Sequence, residues 1–120
     1  MKYTVYQINL TDEQSDEVNR ESRNSGEYPA FYKRYLDTTV FASAKTVNVA
    51  WNAGDYAPAC RIEAGSLDDV FEIGNIGPEK RIERLGVMHS VSVGDVIEDP
   101  HGNRHIVADI GFDELQGSIA

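Results

Sequence analysis

Lys2-Tyr3-Thr4-Val5-Tyr6-Gln7-Ile8-Asn9 is the stretch on which the fold turns. In an extended chain Tyr3, Val5 and Gln7 fall on one side and Thr4, Tyr6 and Ile8 on the other. β-Branched and aromatic types dominate both sets. A strand with two such faces belongs inside a sheet, because an edge strand against solvent would carry one polar face. It therefore needs neighbours from elsewhere in the chain. The last third offers them: Val91, Val93, Val96 and Ile97, then Asp99-Pro100-His101-Gly102-Asn103, then Ile106, Val107 and Ile110. That pattern predicts a β-hairpin turning near Pro100 to Asn103. The closing Asp113-Glu114-Leu115 reads as a short tail with only Leu115 to pack.

The middle is mixed. Thr11 and Gln14 have the spacing of a capping box, and Asp12 and Glu13 put negative charge on the first turn, which predicts a helix over 12–24. Val18 is its only aliphatic side chain and Asp16 with Arg20 its one good ion pair at four-residue spacing, so it lies loosely on the surface. Ser25-Gly26 ends it. Pro29 opens a second helix, in which Phe31, Tyr32, Tyr35 and Leu36 share a face while Lys33 and Arg34 meet water. From Thr38 to Trp51 the residues are rich in Thr, Val and Phe, and Thr46, Asn48 and Ala50 alternate with Val47, Val49 and Trp51. This reads as a strand ending near Trp51.

Asn52-Ala53-Gly54-Asp55 is turn chemistry, and Tyr56 to Glu63 returns as a hairpin partner, with Pro58 marking an edge or a bulge. Ser66 caps a further helix with Leu67, Val70 and Phe71 as its apolar stripe, stopped by Gly74 and Gly77-Pro78. Glu79 to Arg84 is an exposed connector or one helical turn. The expected fold is α+β: a mainly antiparallel sheet with two or three short helices on one side and a C-terminal β-hairpin, in a single domain over 1–120.

Composition agrees. A chain of 120 residues that is 41% hydrophobic suits one core. The 11 Lys and Arg against 20 Asp and Glu leave a net charge of −9, which disfavours a bulk electrostatic hold on nucleic acid or an anionic membrane. The single cysteine, Cys60, excludes an internal disulfide and fits the cytoplasm. No apolar run approaches the roughly 20 residues of a membrane span, and the alternating start is unlike a secretory leader.

Chemistry is sparse. No phosphate loop, nucleophile elbow or H-E-x-x-H is present. His101 and His105 flank a turn, where four-residue spacing does not put both rings on one helical face, so no metal and no cofactor is expected. Cys60, among Ala57, Pro58, Ala59 and Ile62, reads as a small buried hydrophobe. Tyr28, Phe31, Tyr32, Tyr35 and Trp51, with Lys33 and Arg34 interleaved, suit base stacking in composition but core packing in spacing.

Met88-His89-Ser90-Val91-Ser92-Val93-Gly94-Asp95-Val96-Ile97, a charged turn, Ile106-Val107 and Gly111-Phe112 together resemble the C-terminal signature of the YodL-like domain family. That signature runs small-or-His, Ser, Leu, Ser, Val, Ser, Asp, Val, Val, then a hairpin and Gly-Phe. Tyr3 to Ile8 is similar to the family's aromatic-plus-Gln opening strand, Ser66 to Phe71 to its short helix, and Pro78-Glu79 precedes the Ser-rich motif as in the family. Gly94 departs from a position usually held by Ser, and the polar helix has no family counterpart. The resemblance implies a protein of phages, plasmids or other mobile elements, sometimes found joined to anti-restriction or DNA-processing domains. It brings no activity.

Two expectations for function follow. The first is a non-enzymatic accessory protein acting in the (host) cytoplasm on a host or phage protein through acidic surfaces at 12–21 and 95–114, with Asp12, Asp16, Glu17 and Glu21 as contacts. Negative charge set in rows can mimic a DNA backbone. The alternative is a small nucleic-acid module with a hairpin similar to those of PUA-like and ASCH-like barrels, for which Lys80, Arg81 and Arg84 are the only basic cluster. A third reading, a hydrolase using His89, His101 or His105 beside a carboxylate, has the weakest pattern. Within the signature, Ser90 and Ser92 share a strand face opposite Val91 and Val93, and Gly94-Asp95 is a tight turn. Asp95 either bonds backbone N–H groups at that corner or joins His89, Ser90 and Ser92 in a ligand-binding rim.

Overall fold

In the computed structural model, residues 1–9, 12–24, 29–39, 43–108 and 111–115 are described. Strand β1, Lys2–Gln7, stands inside a six-stranded sheet of order β3-β2-β1-β4-β5-β6, antiparallel throughout. Its partners are β2, Ala57–Glu63, and β4, Val96–Glu98. Beyond β2 lies β3, Ile82–Arg84, and beyond β4 come β5, Arg104–Val107, and β6, Phe112–Glu114. The two-faced apolarity of the opening residues is thus used as expected. Pro58 sits where the β1–β2 register slips between Val5 and Tyr6, so it marks a bulge. The second half of the hairpin expectation changes, however: β2 returns along β1, not along the residues before Trp51.

Those residues are helical. Helices α1, Asp12–Asn24, and α2, Ala30–Thr39, form where expected, and α3, Ala44–Asn52, replaces the expected strand. The cause is local. The Ser43 hydroxyl accepts from the Thr46 N–H and the Ser43 N–H donates to the Thr46 hydroxyl, a reciprocal cap that satisfies two otherwise unpaired donors. Val47 and Ala50, three apart, are fully buried, whereas Val49 is 54% exposed. Period two would have buried Val47 and Val49 together. The cap on Thr11 lies outside the described residues.

Helix α4, Leu67–Ile76, begins at the Ser66 cap, whose hydroxyl accepts from the Asp69 N–H. Val70 and Ile73 are its buried side chains, each worth about 1.5–3 kcal/mol of burial. Phe71, expected on that stripe, is instead exposed. Gly74 does not stop the helix but lies within it, against Val91, and Gly77 at φ +100° ends it. Glu79–Arg81 is one 3-10 turn that leads into β3.

The sheet has a core on each face. On one, Tyr3, Val5, Cys60, Ile62, Ile97 and Val107 pack with Val70 and Ile73 of α4 and with Val91. On the other, Val96, Ile106 and Leu115 pack with Val47 of α3 and with Tyr6, Trp51 and Tyr56. Helices therefore cover both faces, not one, as β1 with its two apolar faces requires. Tyr6 meets Trp51 edge-on at 5.0 Å between ring centres, and the Arg104 guanidinium lies 5.0 Å over the Trp51 ring. Leu115 packs as expected, but Phe112–Glu114 before it adds a strand where a tail is predicted. No helix among the described residues is long and apolar enough to cross a membrane.

Candidate functional site

Gln7 ends β1 on the same face as Tyr3 and Val5, and it is buried. A buried amide needs partners, since an unpaired one costs about 1–3 kcal/mol. Its Nε2 donates to the His89 carbonyl at 2.9 Å, and its Oε1 accepts from the His89 N–H at 3.1 Å. This two-way exchange is what one strand residue offers another, so a side chain extends the ladder sideways to a segment that is not a strand. The same Nε2 donates to Asp95 Oδ2 at 2.9 Å, and that oxygen also accepts from the Ser92 N–H at 2.9 Å. Burial pushes the Asp95 carboxyl up; the Ser92 N–H, the Gln7 amide and nearby His89 pull it back, leaving it at about 6.

The corner is closed by local bonds. The Asp95 N–H donates to the Ser92 carbonyl across a turn with Gly94 at φ +93°, and the Tyr56 hydroxyl donates to the Gly94 carbonyl. Of the two roles open to Asp95, it takes the architectural one. The segment before it is irregular, so Ser90 and Ser92 are exposed off a loop and not on a strand, although Val91 between them is buried as the alternation implies. The Ser92 hydroxyl donates to the Ser90 carbonyl. Asp95 is buried and linked to the His89 backbone through Gln7, whereas His89, Ser90 and Ser92 are exposed.

His89 and Ser90 line a cleft of about 380 Å³ with Asn75, Ile76, Glu79 and Arg84. It opens between the end of α4, the 3-10 turn with β3, and the Gln7-anchored segment. Its walls are tied down on both sides: Asn75 Nδ2 donates to the Phe71 and Val91 carbonyls, and Asn9 Nδ2 donates to the Val87 carbonyl. Arg84 pairs with Glu79 at 2.7 Å. His89 Nδ1 lies 2.8 Å from the Ser90 carbonyl, which only accepts, so Nδ1 carries a proton. Ile73, Ile76, Ile82 and Met88 share the lining with these polar groups. Ile76 is 83% exposed and Val87 81%, with Leu85 exposed between Arg84 and Val87.

The other expected site residues lie elsewhere. Asp12 and Asp16 are exposed on α1, Glu17 is half-buried, and Glu21 belongs to the same helix. The acidic surface expected at 95–114 is largely consumed. Asp95 is buried, Glu98 pairs with Arg104 at 3.0 Å, and Asp99 accepts from the His101 and Asn103 N–H groups and faces His105 Nε2 at 3.0 Å. Asp113 and Glu114 remain exposed, and Asp109 lies outside the described residues. His89, His101 and His105 stand on a cleft wall, a hairpin turn and a strand. Among the described residues no three His, Cys, Asp or Glu side chains are grouped to hold a metal ion.

Cys60 is fully buried, and burial pushes its thiol up to about 11. Phe31, Tyr32, Tyr35 and Leu36 are half-buried, with Tyr32 and Tyr35 stacked, while Tyr28 lies outside the described residues. Arg34, expected in water, is held bidentately by Asp55 at 2.6 and 3.1 Å. In the basic cluster Arg84 is paired with Glu79, and on the neighbouring strand Arg61 with Glu83, so carboxylates interleave the cations there. The signal for Gln7 was present in the chain, a lone amide on an apolar strand face. Ile76, Leu85 and Val87 carried none, since exposure of an aliphatic residue is a property of the fold. Searches against protein-family models, curated proteins and solved structures find no match to the chain.

Proposed function

We propose that this domain works by binding another protein at the cleft beside α4, without a catalytic step and without a cofactor. The observation that supports this reading is a polar cleft whose walls are tied down in advance and whose lining includes the exposed Ile76, with Leu85 and Val87 exposed on the segment that joins two lining residues, Arg84 and Met88. Exposed apolar groups gathered at one place, rimmed by polar ones, are what an interaction surface presents. A pre-ordered site also binds with less loss of freedom. The cleft's mix of amide, imidazole, cation and carboxylate suits an extended peptide segment, whose N–H and C=O groups need both donors and acceptors.

The exposed carboxylates of α1, Asp12, Glu13 and Asp16, serve approach: negative charge on a protein of net charge −9 steers it toward basic partners. On the YodL-like resemblance, the partner is a host or phage protein met in the host cytoplasm, and the domain is an accessory of a mobile element. Affinity capture from a bacterial lysate at low salt, with the unaltered chain beside an Ile76→Ser/Val87→Ser variant, tests the reading. A protein retained by the first and lost by the folded variant supports it. Equal retention by both removes the cleft from the account.

A further inference from the structure

A second, smaller hollow lies between the start of α4 and the outer strands β5 and β6. It holds about 150 Å³ and is lined by Asp68, Phe71, Val107, Ala108, Gly111 and Phe112. Sites for drug-sized ligands occupy roughly 300–1,000 Å³, so this one has room for a single side chain. Its walls are chemically divided. Phe71, Val107, Ala108 and Phe112 are apolar, two of them phenyl rings from opposite elements, and the one charged group in the lining is the Asp68 carboxylate. Phe71 is 40% exposed although it sits on the helix that covers the main core.

From this geometry we infer that the hollow receives the side chain of a lysine or arginine on a partner protein, its alkyl stem between Phe71 and Phe112 and its cation on Asp68. Charge complementarity decides the occupant. The Asp68 carboxylate makes no ion pair or hydrogen bond among the described residues, and Glu72 on α4 and Asp113 and Glu114 on β6 are exposed. An aliphatic side chain would strip water from a carboxylate and give nothing back, which is costly. An acidic one would be repelled. A long cationic side chain matches both halves, because its stem is apolar and its head is charged, and a cation near a phenyl ring is further favoured.

This hollow is separate from the cleft at the other end of α4, and its test does not depend on the cleft having a partner. The probes are four blocked tripeptides, acetyl-Gly-X-Gly-amide, with X as arginine, lysine, norleucine or glutamate. They are titrated into the uniformly ¹³C,¹⁵N-labelled chain while the Phe71 and Phe112 ring and Gly111 amide resonances are followed. The expected result is saturable shifts with arginine and lysine, at least fivefold weaker binding of norleucine, and no shift with glutamate. Asp68→Asn should bring arginine and lysine down to the norleucine level, while its amide spectrum elsewhere stays that of the folded chain. Norleucine binding as tightly as the cations, retention of the cation preference in Asp68→Asn, or no shift with any peptide would overturn the inference.

Discussion

Gln7 and Asp95 show how one polar residue on an apolar face becomes architecture. Replacing Gln7 with Leu keeps the bulk but orphans the His89 N–H and C=O and removes a donor from Asp95. The expected loss is about 2–4 kcal/mol, read from urea unfolding midpoints; a loss below about 0.5 kcal/mol would mean that the segment 87–91 holds itself in place. For Asp95 the sign of the pH dependence is set by a folded value of about 6, above the ordinary carboxylate value of 3.8. The folded chain then binds the proton more tightly than the unfolded one. This carboxyl therefore costs stability progressively as pH rises from about 4 to about 6, by roughly 3 kcal/mol at full effect. Asp95→Asn keeps an oxygen for Ser92 and Gln7, so its stability should be flatter over that window, and a variant as steep as the parent would refute the assignment. Asp99 works in the opposite sense. Burial pushes its carboxyl up, but His105 and the N–H groups of Asn103 and His101 together hold it below the usual range, so its contribution is present at neutral pH and lost on acidification. Of these three, the turns at Asp95 and Asp99 were legible in the chain, because Gly-Asp and Asp-Pro-His-Gly-Asn beside apolar alternation name turns, and Gln7 showed only as a lone amide on an apolar face. The pairing with Gln7 spans most of the domain and has no local sign.

Among the elements, α4 and α3 mark the two limits of reading a pattern. Helix α4 was legible because Ser66, two acidic residues and an apolar stripe agree, yet its glycine was misread as a stop. Gly74 is where the helix comes closest to the loop: a Cβ built there would fall on the Val91 side chain, 3.2 Å from its Cβ. Alanine normally gains about 1 kcal/mol over glycine in a helix, whereas overpacking costs about 1–3 kcal/mol. Because Val91 is fully enclosed, the second effect wins, and Gly74→Ala should lower stability by about 1–2 kcal/mol in thermal unfolding. A gain would show that the loop gives way freely. Helix α3 was misread because Val47, Val49 and Trp51 satisfy period two, while Val47, Ala50 and Trp51 satisfy a helical face equally well. The cap at Ser43 breaks the tie. Ser43→Ala should cost about 1 kcal/mol and reduce helical circular dichroism, and neither change would occur if packing alone held α3.

At the scale of the whole molecule, charge and topology dominate. Net charge of −9 repels itself within a chain of 120 residues, so raising ionic strength through about 0.1 M, where the Debye length is about 10 Å, should raise the melting temperature. A flat or falling response would show that the ion pairs screened by salt outweigh that repulsion. The α+β class, the antiparallel sheet and the hairpin turning at Asp99–Asn103 were legible because they rest on alternation and turn chemistry. The use of both faces followed from β1 but was read only as burial, since which helix covers which face depends on distant residues. The order β3-β2-β1-β4-β5-β6 has a temporal consequence. During synthesis, at about 5–20 residues per second, β1 emerges ahead of every strand it will touch, and its flank toward β4 stays unpaired until Val96–Glu98 has been made. The strand born first is a keystone set late: without it the sheet parts into a two-stranded and a three-stranded piece, each with a raw flank of unpaired N–H and C=O groups. The nascent chain must shelter that sticky segment from other ribosomes' products until the arch can close.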